Sequence, residues 1–216
     1  MSCRNANKTC DMTAELLPKI ERVLLSELQA LQCPEHNRAD LAEFLAIAPE
    51  HFSPASVLFG LIARDDGLHV LLTKRTEHLR HHAGQISFPG GRIEPSDANP
   101  AHAALREAYE EIGLDASSIR VLGYLEPMLT ITGFRVYPVV ALIQPDYNAV
   151  PDGIEVAELF EAPLALFFNP ANEHALQIML HGKTRHLTEF HWQHFRIWGA
   201  TATMLVNLRK RLERQE

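Results

Sequence analysis

The chain has 216 residues, of which 46% are hydrophobic and 22% charged, a profile that allows one large domain with a core needing no covalent staple. Its formal net charge of −7 argues against broad binding to nucleic acid or to an anionic membrane surface, both of which attract basic faces. Three cysteines, Cys3, Cys10 and Cys33, suit neither a disulfide framework nor a zinc site, so a reducing compartment is expected.

Taken in chain order, the polar start Met1-Ser2-Cys3-Arg4 has no apolar signal region, and no later apolar run is long enough to span a bilayer. The C-terminal Arg214-Gln215-Glu216 is not a peroxisomal address either, which makes the cytoplasm the expected location. Apolar residues at helical spacing predict a helix over Thr13 to Gln32 with Thr13 as its N-cap, and a second short helix over Arg38 to Ile47 before Pro49. Residues 1–50 read as a helical extension, with the main domain over 51–216. Ala55 to Ala63 and Leu68 to Thr73 are β-rich runs joined by the turn signal Asp65-Asp66-Gly67. Gln85 to Phe88 continues as a strand into a glycine loop, and Pro100 to Ile112 reads as a helix ended by Gly113.

Ile119 to Leu125 and Phe134 to Ile143 are further strands, the second nearly all apolar and so expected to be buried on both faces. Glu126 to Gly133 between them reads as a loop. Val156 to Phe160 is a short strand, Pro163 to Phe168 a short helix or turn, and Leu176 to Leu180 with Thr188 to Phe195 a late hairpin around Gly182. Gly199 to Arg214 closes the chain as an amphipathic helix whose basic last turns suit the negative end of the helix dipole.

Chemistry concentrates between Gly91 and Leu114. The segment reads Gly91-Arg92-Ile93-Glu94-Pro95-Ser96-Asp97, then eight residues, then Arg106-Glu107-Ala108-Tyr109-Glu110-Glu111-Ile112-Gly113-Leu114. On a helix Glu107, Glu110 and Glu111 share one face about a turn apart. Their mutual repulsion is relieved by a hard divalent cation that takes oxygen ligands.

This segment resembles the Nudix box, G-x5-E-x7-R-E-U-x-E-E-x-G-U with U aliphatic, with Asp97 in place of a Glu and one residue more than x7 between Asp97 and Arg106. Just upstream, Leu71-Leu72-Thr73-Lys74-Arg75, Arg80, Gly84 and Phe88-Pro89-Gly90-Gly91 are similar to the second signature of the coenzyme A pyrophosphatase branch, L-L-T-x-R-[S/A]-x3-R-x3-G-x3-F-P-G-G. Thr76 departs from the small Ser or Ala usual there. The resemblance implies a mixed sheet in a three-layer α/β/α sandwich, and Mg²⁺ or Mn²⁺ held by Glu107, Glu110 and Glu111. It implies diphosphate hydrolysis of coenzyme A or its acyl derivatives, a small nucleotide substrate, and leaves a homodimer open.

Within that reading Arg106 orients a carboxylate, and Asp97 reaches a metal through water or only braces its loop. Arg75, Arg80, Gly84 and Phe88 are candidate substrate contacts, since guanidinium forks recognise phosphate oxygens. Taken without the motif, Arg75 and Arg80 are simply an exposed strand end and loop. Gly90 and Gly91 permit positive φ and close approach to a phosphate, or a plain turn. One of the box glutamates, Glu155 or Glu158 is the candidate general base. Among the twelve histidines, His81-His82 is a possible loop contact, while His181, His186, His191 and His194 lack a metal-ligand pattern and read as surface or interface residues. Trp192 and Trp198 read as packing residues, although Ile197-Trp198-Gly199-Ala200-Thr201-Ala202 resembles a C-terminal segment frequent in this branch. A broader hydrolase of ADP-ribose, NADH or nucleoside triphosphates is the enzymatic alternative. A nucleotide-sensing module without catalysis is the other, although such modules are expected to lose box carboxylates that this chain keeps.

Overall fold

The computed structural model describes residues 14–42, 44, 51–79, 81–180 and 182–215. Helix α1 covers residues 14–23, and α2 (Glu27–Gln32) and α3 (Arg38–Leu41) follow. The single helix expected to run on to Gln32 is therefore broken at Leu24 to Ser26. Leu25 leaves the helix to bridge Tyr124, its N–H donating to the Tyr124 carbonyl at 2.9 Å and its carbonyl accepting from the Tyr124 N–H at 3.0 Å. Ser26 then restarts the helix through a capping box with Gln29. Thr13, and the part of the second expected helix from residue 45 to Ile47, lie outside the described residues.

The main sheet is built on β1 (Ser53–Arg64) and β2 (Gly67–Arg75), an antiparallel hairpin across Asp65-Asp66 in which Arg64 pairs Gly67. β3 (Ile86–Ser87) adds to β2, and β4 (Gly90–Arg92) pairs β1. After α4 (Pro100–Ile112) come β5 (Ile119–Tyr124), β6 (Met128–Leu129) and β7 (Phe134–Ile143). β7 runs parallel to β1 and antiparallel to β5, which makes the sheet mixed. β6 falls inside the stretch expected as loop and pairs β7. β8 (Val156–Pro163) is longer than expected because its register along β2 continues to His69 opposite Pro163.

α5 (Leu164–Phe168) follows directly. The expected late hairpin is instead three strands, β9 (His174–Leu180), β10 (Lys183–Trp192) and β11 (Phe195–Trp198), in a separate antiparallel sheet. Its second turn is Gln193-His194, between the paired Trp192 and Phe195. α6 (Gly199–Glu213) closes the chain.

Strand periodicity sorts the core into two layers. Leu58 and Ile62 of β1, Leu71 of β2 and Val139, Ala141 and Ile143 of β7 pack against Ala104, Ala108 and Ile112 of α4. Their neighbours Phe59, Leu61, Val70, Leu72 and Val140 face the other way, toward Ile20 and Val23 of α1, Phe167 of α5 and Leu205 and Leu208 of α6. The architecture is α/β with helices on both faces of the sheet. Phe190, Phe195 and Ile197 of the small sheet join the layer of α1, α5 and α6. Among the described residues no helix is long and apolar enough to cross a membrane.

Candidate active site

α4 holds its carboxylates in a fixed setting because both of its ends are closed. The Asn99 side chain accepts from the His102 N–H, Pro100 occupies the first turn, and Gly113 ends the helix with φ 63°. The chain after β7 is pinned to the same end, with the Val150 and Asp152 N–H groups donating to the carbonyls of Ile112 and Glu111 at 2.8 and 2.9 Å. These bonds satisfy carbonyls that a helix end leaves without a partner.

The three glutamates differ in environment. Glu111 is only 5% exposed; it accepts from the Gly90 N–H at 3.1 Å and faces Arg75 at 3.7 Å. Burial pushes its carboxyl up to about 8 despite those two contacts, and the neighbouring charges of Glu107 and Glu155 push the same way. Glu107 is also raised by burial, against the pull of Arg106, while Glu110 is exposed. A cluster of this kind suits a hard cation that takes oxygen ligands.

Arg106 gathers the surroundings into one network. It donates from Nε and Nη2 to both oxygens of Asp97 at 3.1 and 3.0 Å, from Nη1 to Glu107 and Glu110 at 3.0 and 3.1 Å, and to the Arg92 carbonyl at 3.0 Å. Asp97 also meets His102 Nδ1 at 2.8 Å and accepts from the Glu94 N–H at 2.8 Å. The guanidinium of Arg106 holds the Asp97 carboxyl well below the usual range. Asp97 thus braces the loop and aims Arg106, with both oxygens engaged.

Packing and backbone conformation require glycine at Gly90, whereas at Gly91 only the mobile Glu107 carboxylate stands in the way. A Cβ on Gly90, whose φ is 153°, would strike the Ser56 carbonyl, and one on Gly91 would strike the Glu107 carboxylate. Arg75 meets Glu111 and also donates to Glu155 at 3.1 Å, so it is embedded among carboxylates. Thr76 joins the same corner, its hydroxyl donating to the Ile154 carbonyl at 2.9 Å and its N–H to the Glu155 carbonyl at 2.9 Å. Gly84 has φ 66° and packs against the Glu77 carboxylate. Arg80 lies outside the described residues.

Phe88 departs from its expected role as a substrate contact. It is 2% exposed and stacked on Phe59 with ring centroids 4.5 Å apart, which leaves its ring no free face. Burying such a ring contributes about 2 to 3 kcal/mol, and that packing is what Phe88 does here. The two base candidates separate as well. Glu155 stands with Arg75 beside Glu111, whereas Glu158 pairs Lys74 at 3.0 Å and His194 at 3.4 Å.

The NUDIX domain model matches residues 54–178. A protein of Enterobacter sp. (strain 638), described as the uncharacterized Nudix hydrolase NudL, is 40% identical over 155 residues, covering 71% of this chain and 80% of that protein. The chain belongs to the Nudix family. The NudL of Escherichia coli (strain K12) is 38% identical over 187 residues, 85% of this chain and 90% of that one. The crystal structure of the Nudix hydrolase RenU from M. smegmatis aligns with a TM-score of 0.46 and 26% identity over 53% of this chain and 72% of that chain.

Nudix hydrolases generally need a divalent metal such as Mg²⁺ or Mn²⁺. The donors fit such an ion in kind, since the carboxylates of Glu107, Glu110 and Glu111 are hard oxygen ligands sharing one helix face. Among the described residues no group of three His, Cys, Asp or Glu side chains stands ready as a cage. Arg106 bridges one oxygen each of Glu107 and Glu110, and a cation would take their other oxygens. What sequence reasoning missed is Asp152, whose side chain accepts from the N–H groups of Ile154, Glu155 and Val156 at 2.9 to 3.2 Å and so aims Glu155. The only local signal for it was the turn pair Asp152-Gly153.

Proposed function

We propose that this Nudix hydrolase cleaves the diphosphate of coenzyme A or its acyl derivatives, giving 3′,5′-ADP and 4′-phosphopantetheine or its acyl form. The observation that carries the reading is the meeting of the two motifs at one point. Arg75 and Gly90 of the upstream signature both contact Glu111 of the box. A substrate read by the signature is thereby delivered to the carboxylates.

A divalent cation on Glu107, Glu110 and Glu111 would neutralise phosphoryl oxygens and lower the pKa of a bound water. The chain's own residues do the rest. Arg106 holds Glu107 and Glu110 in line, Gly90 and Arg75 orient Glu111, and Glu155 is our choice of general base. Water adds to one phosphorus, the bridging P–O bond breaks, and the proton of the water passes to the base while the leaving phosphate departs as a monoester. Glu158 is the weaker choice because Lys74 and His194 hold it away from Arg75.

The test is mass spectrometry of products from coenzyme A, ADP-ribose and NADH, each with Mg²⁺ or Mn²⁺. We expect 4′-phosphopantetheine and 3′,5′-ADP, with coenzyme A turned over more efficiently than the other two. Equal kcat/KM for all three would favour the broader hydrolase, and no product from any would leave a sensing module.

A further inference from the structure

A cleft of about 320 Å³ opens beside the site, lined by Lys74, Gly84, Gln85, His194, Arg196 and Trp198 among others. It lies on the other face of β2. Lys74 and Arg75 are neighbours on a strand and point to opposite sides. Arg75 turns to Glu111 of α4, while Lys74 shares its side with Phe160, which stacks on Phe195 at 3.7 Å.

Among the described residues the cleft wall presents Lys74, Arg196 and the His194 imidazole, and no carboxylate is part of the lining. Glu158 and Glu189 pair with these cations, and the Glu77 carboxylate packs against Gly84 of the lining. Glu158 takes Lys74 at 3.0 Å, and Glu189, only 13% exposed, takes Arg196 Nε at 2.5 Å. The two terminal amino groups of Arg196, half-exposed, remain for a ligand, and a guanidinium offers them as a planar fork suited to phosphate. Its guanidinium also sits over the Trp198 ring, 5.9 Å from the centroid.

A second observation points to the same place. Among the described residues His82 and Gln193 are the two other than glycine with positive φ, at 58° and 52°. That conformation is unfavourable for an L-residue and persists where the surroundings hold it. Both flank this cleft. Gln193 is the first turn residue between β10 and β11 and throws His194 to the cleft mouth, while His82 Nδ1 holds the Gln85 side chain at 2.8 Å.

We propose that this cleft binds a phosphate monoester carried by the substrate away from the bond that is cleaved, with Lys74 and Arg196 as its cationic ligands. The proposal rests on the coenzyme A reading, in which that group is the 3′-phosphate. Arg75, engaged by Glu111 and Glu155, does not serve it.

The experiment is calorimetric titration of the full chain with 3′,5′-ADP and with 5′-AMP, for wild type, Arg196→Gln, Arg196→Lys and Lys74→Gln, with melting temperatures recorded for each. Wild type is expected to prefer 3′,5′-ADP by about tenfold or more, as for a charged hydrogen bond, with the ratio falling toward one in both Gln variants and partly kept in Arg196→Lys. Equal binding of the two nucleotides by wild type, or a ratio unchanged in the Gln variants, overturns the cleft. The kcat/KM ratio of coenzyme A to dephospho-coenzyme A separates the two readings. If coenzyme A is cleaved and that ratio survives both Gln substitutions, the cleft assignment falls and the diphosphatase stands. If coenzyme A is not cleaved while the 3′,5′-ADP preference is present and lost in the variants, the reverse holds.

Discussion

Asp97 is one methylene shorter than the glutamate the box leads one to expect, and both of its oxygens are taken by Arg106, His102 and the Glu94 N–H. Its work is done through Arg106, which in turn spaces Glu107 from Glu110. Glu111 is different, because it is buried and is contacted by both motifs. Replacing it by Gln keeps an oxygen for the Gly90 N–H and removes the cost of holding an ionisable carboxyl in a buried setting, so in chelator the variant should melt at or above wild type. With Mg²⁺ or Mn²⁺ the same variant should lose about 3 kcal/mol of transition-state stabilisation, roughly two orders of magnitude in turnover. Metal titration by calorimetry and a steady-state assay check both halves. Normal turnover in Glu111→Gln, or wild-type activity surviving excess chelator, removes the metal assignment.

α4 shows which elements a sequence announces. Its bounds at Pro100 and Ile112 were legible because the signals are local, a proline in the first turn and a glycine just past the last. The end of α1 was not, since Leu24 and Leu25 continue the apolar pattern and the break is made by a bridge to Tyr124, far along the chain. The Gln193-His194 turn was illegible for another reason, as neither residue is one that normally marks a tight hairpin. Gly113 supplies the element-scale prediction. No atom lies within 4 Å of a Cβ built there, so Gly113→Ala meets no clash and pays only for φ 63°. Destabilisation of about 1 kcal/mol is expected in denaturant melts, with the helix retained. Because Glu110 and Glu111 sit in the last turn before this cap, KM for the metal should rise more than KM for the substrate. A neutral effect on stability would mean that the left-handed cap is not maintained by the glycine.

At the scale of the molecule, β2 joins two differently built ends. The Arg75 end carries the carboxylates, and their types and spacing were readable from sequence, whereas the burial of Glu111 and the cleft behind Lys74 depend on strands that meet only in the fold. The far end is closed by a network that sequence did not suggest. Arg64 of β1 donates to both oxygens of Glu161 at 2.9 and 2.5 Å and to the Pro145 carbonyl at 2.7 Å, and the Tyr147 hydroxyl donates to Glu161 at 2.9 Å. Burial alone would push the Glu161 carboxyl up, but the bonds from Arg64 and Tyr147 outweigh it and hold it below its ordinary value. Burial first, and then the bond to Glu161, raise the Tyr147 phenol above its ordinary value. The signs of the two linkages are opposite. The depressed carboxylate stabilises the fold above about pH 4.5, where the unfolded group is ionised, and that contribution is lost as pH falls further. The raised phenol stabilises it below about pH 10, and that contribution is lost as pH rises beyond. Melting temperatures measured from pH 3 to pH 11 should therefore fall at both ends. Glu161→Gln should cost about 1 to 2 kcal/mol near neutrality, given the partial exposure of Arg64, and flatten the acid limb. Tyr147→Phe should flatten the alkaline limb while leaving the acid one steep. Because the network lies at the end of β2 remote from Arg75, neither substitution should change the ratio of coenzyme A to ADP-ribose turnover below the melting range, and a changed ratio would show that the two ends of the sheet are coupled.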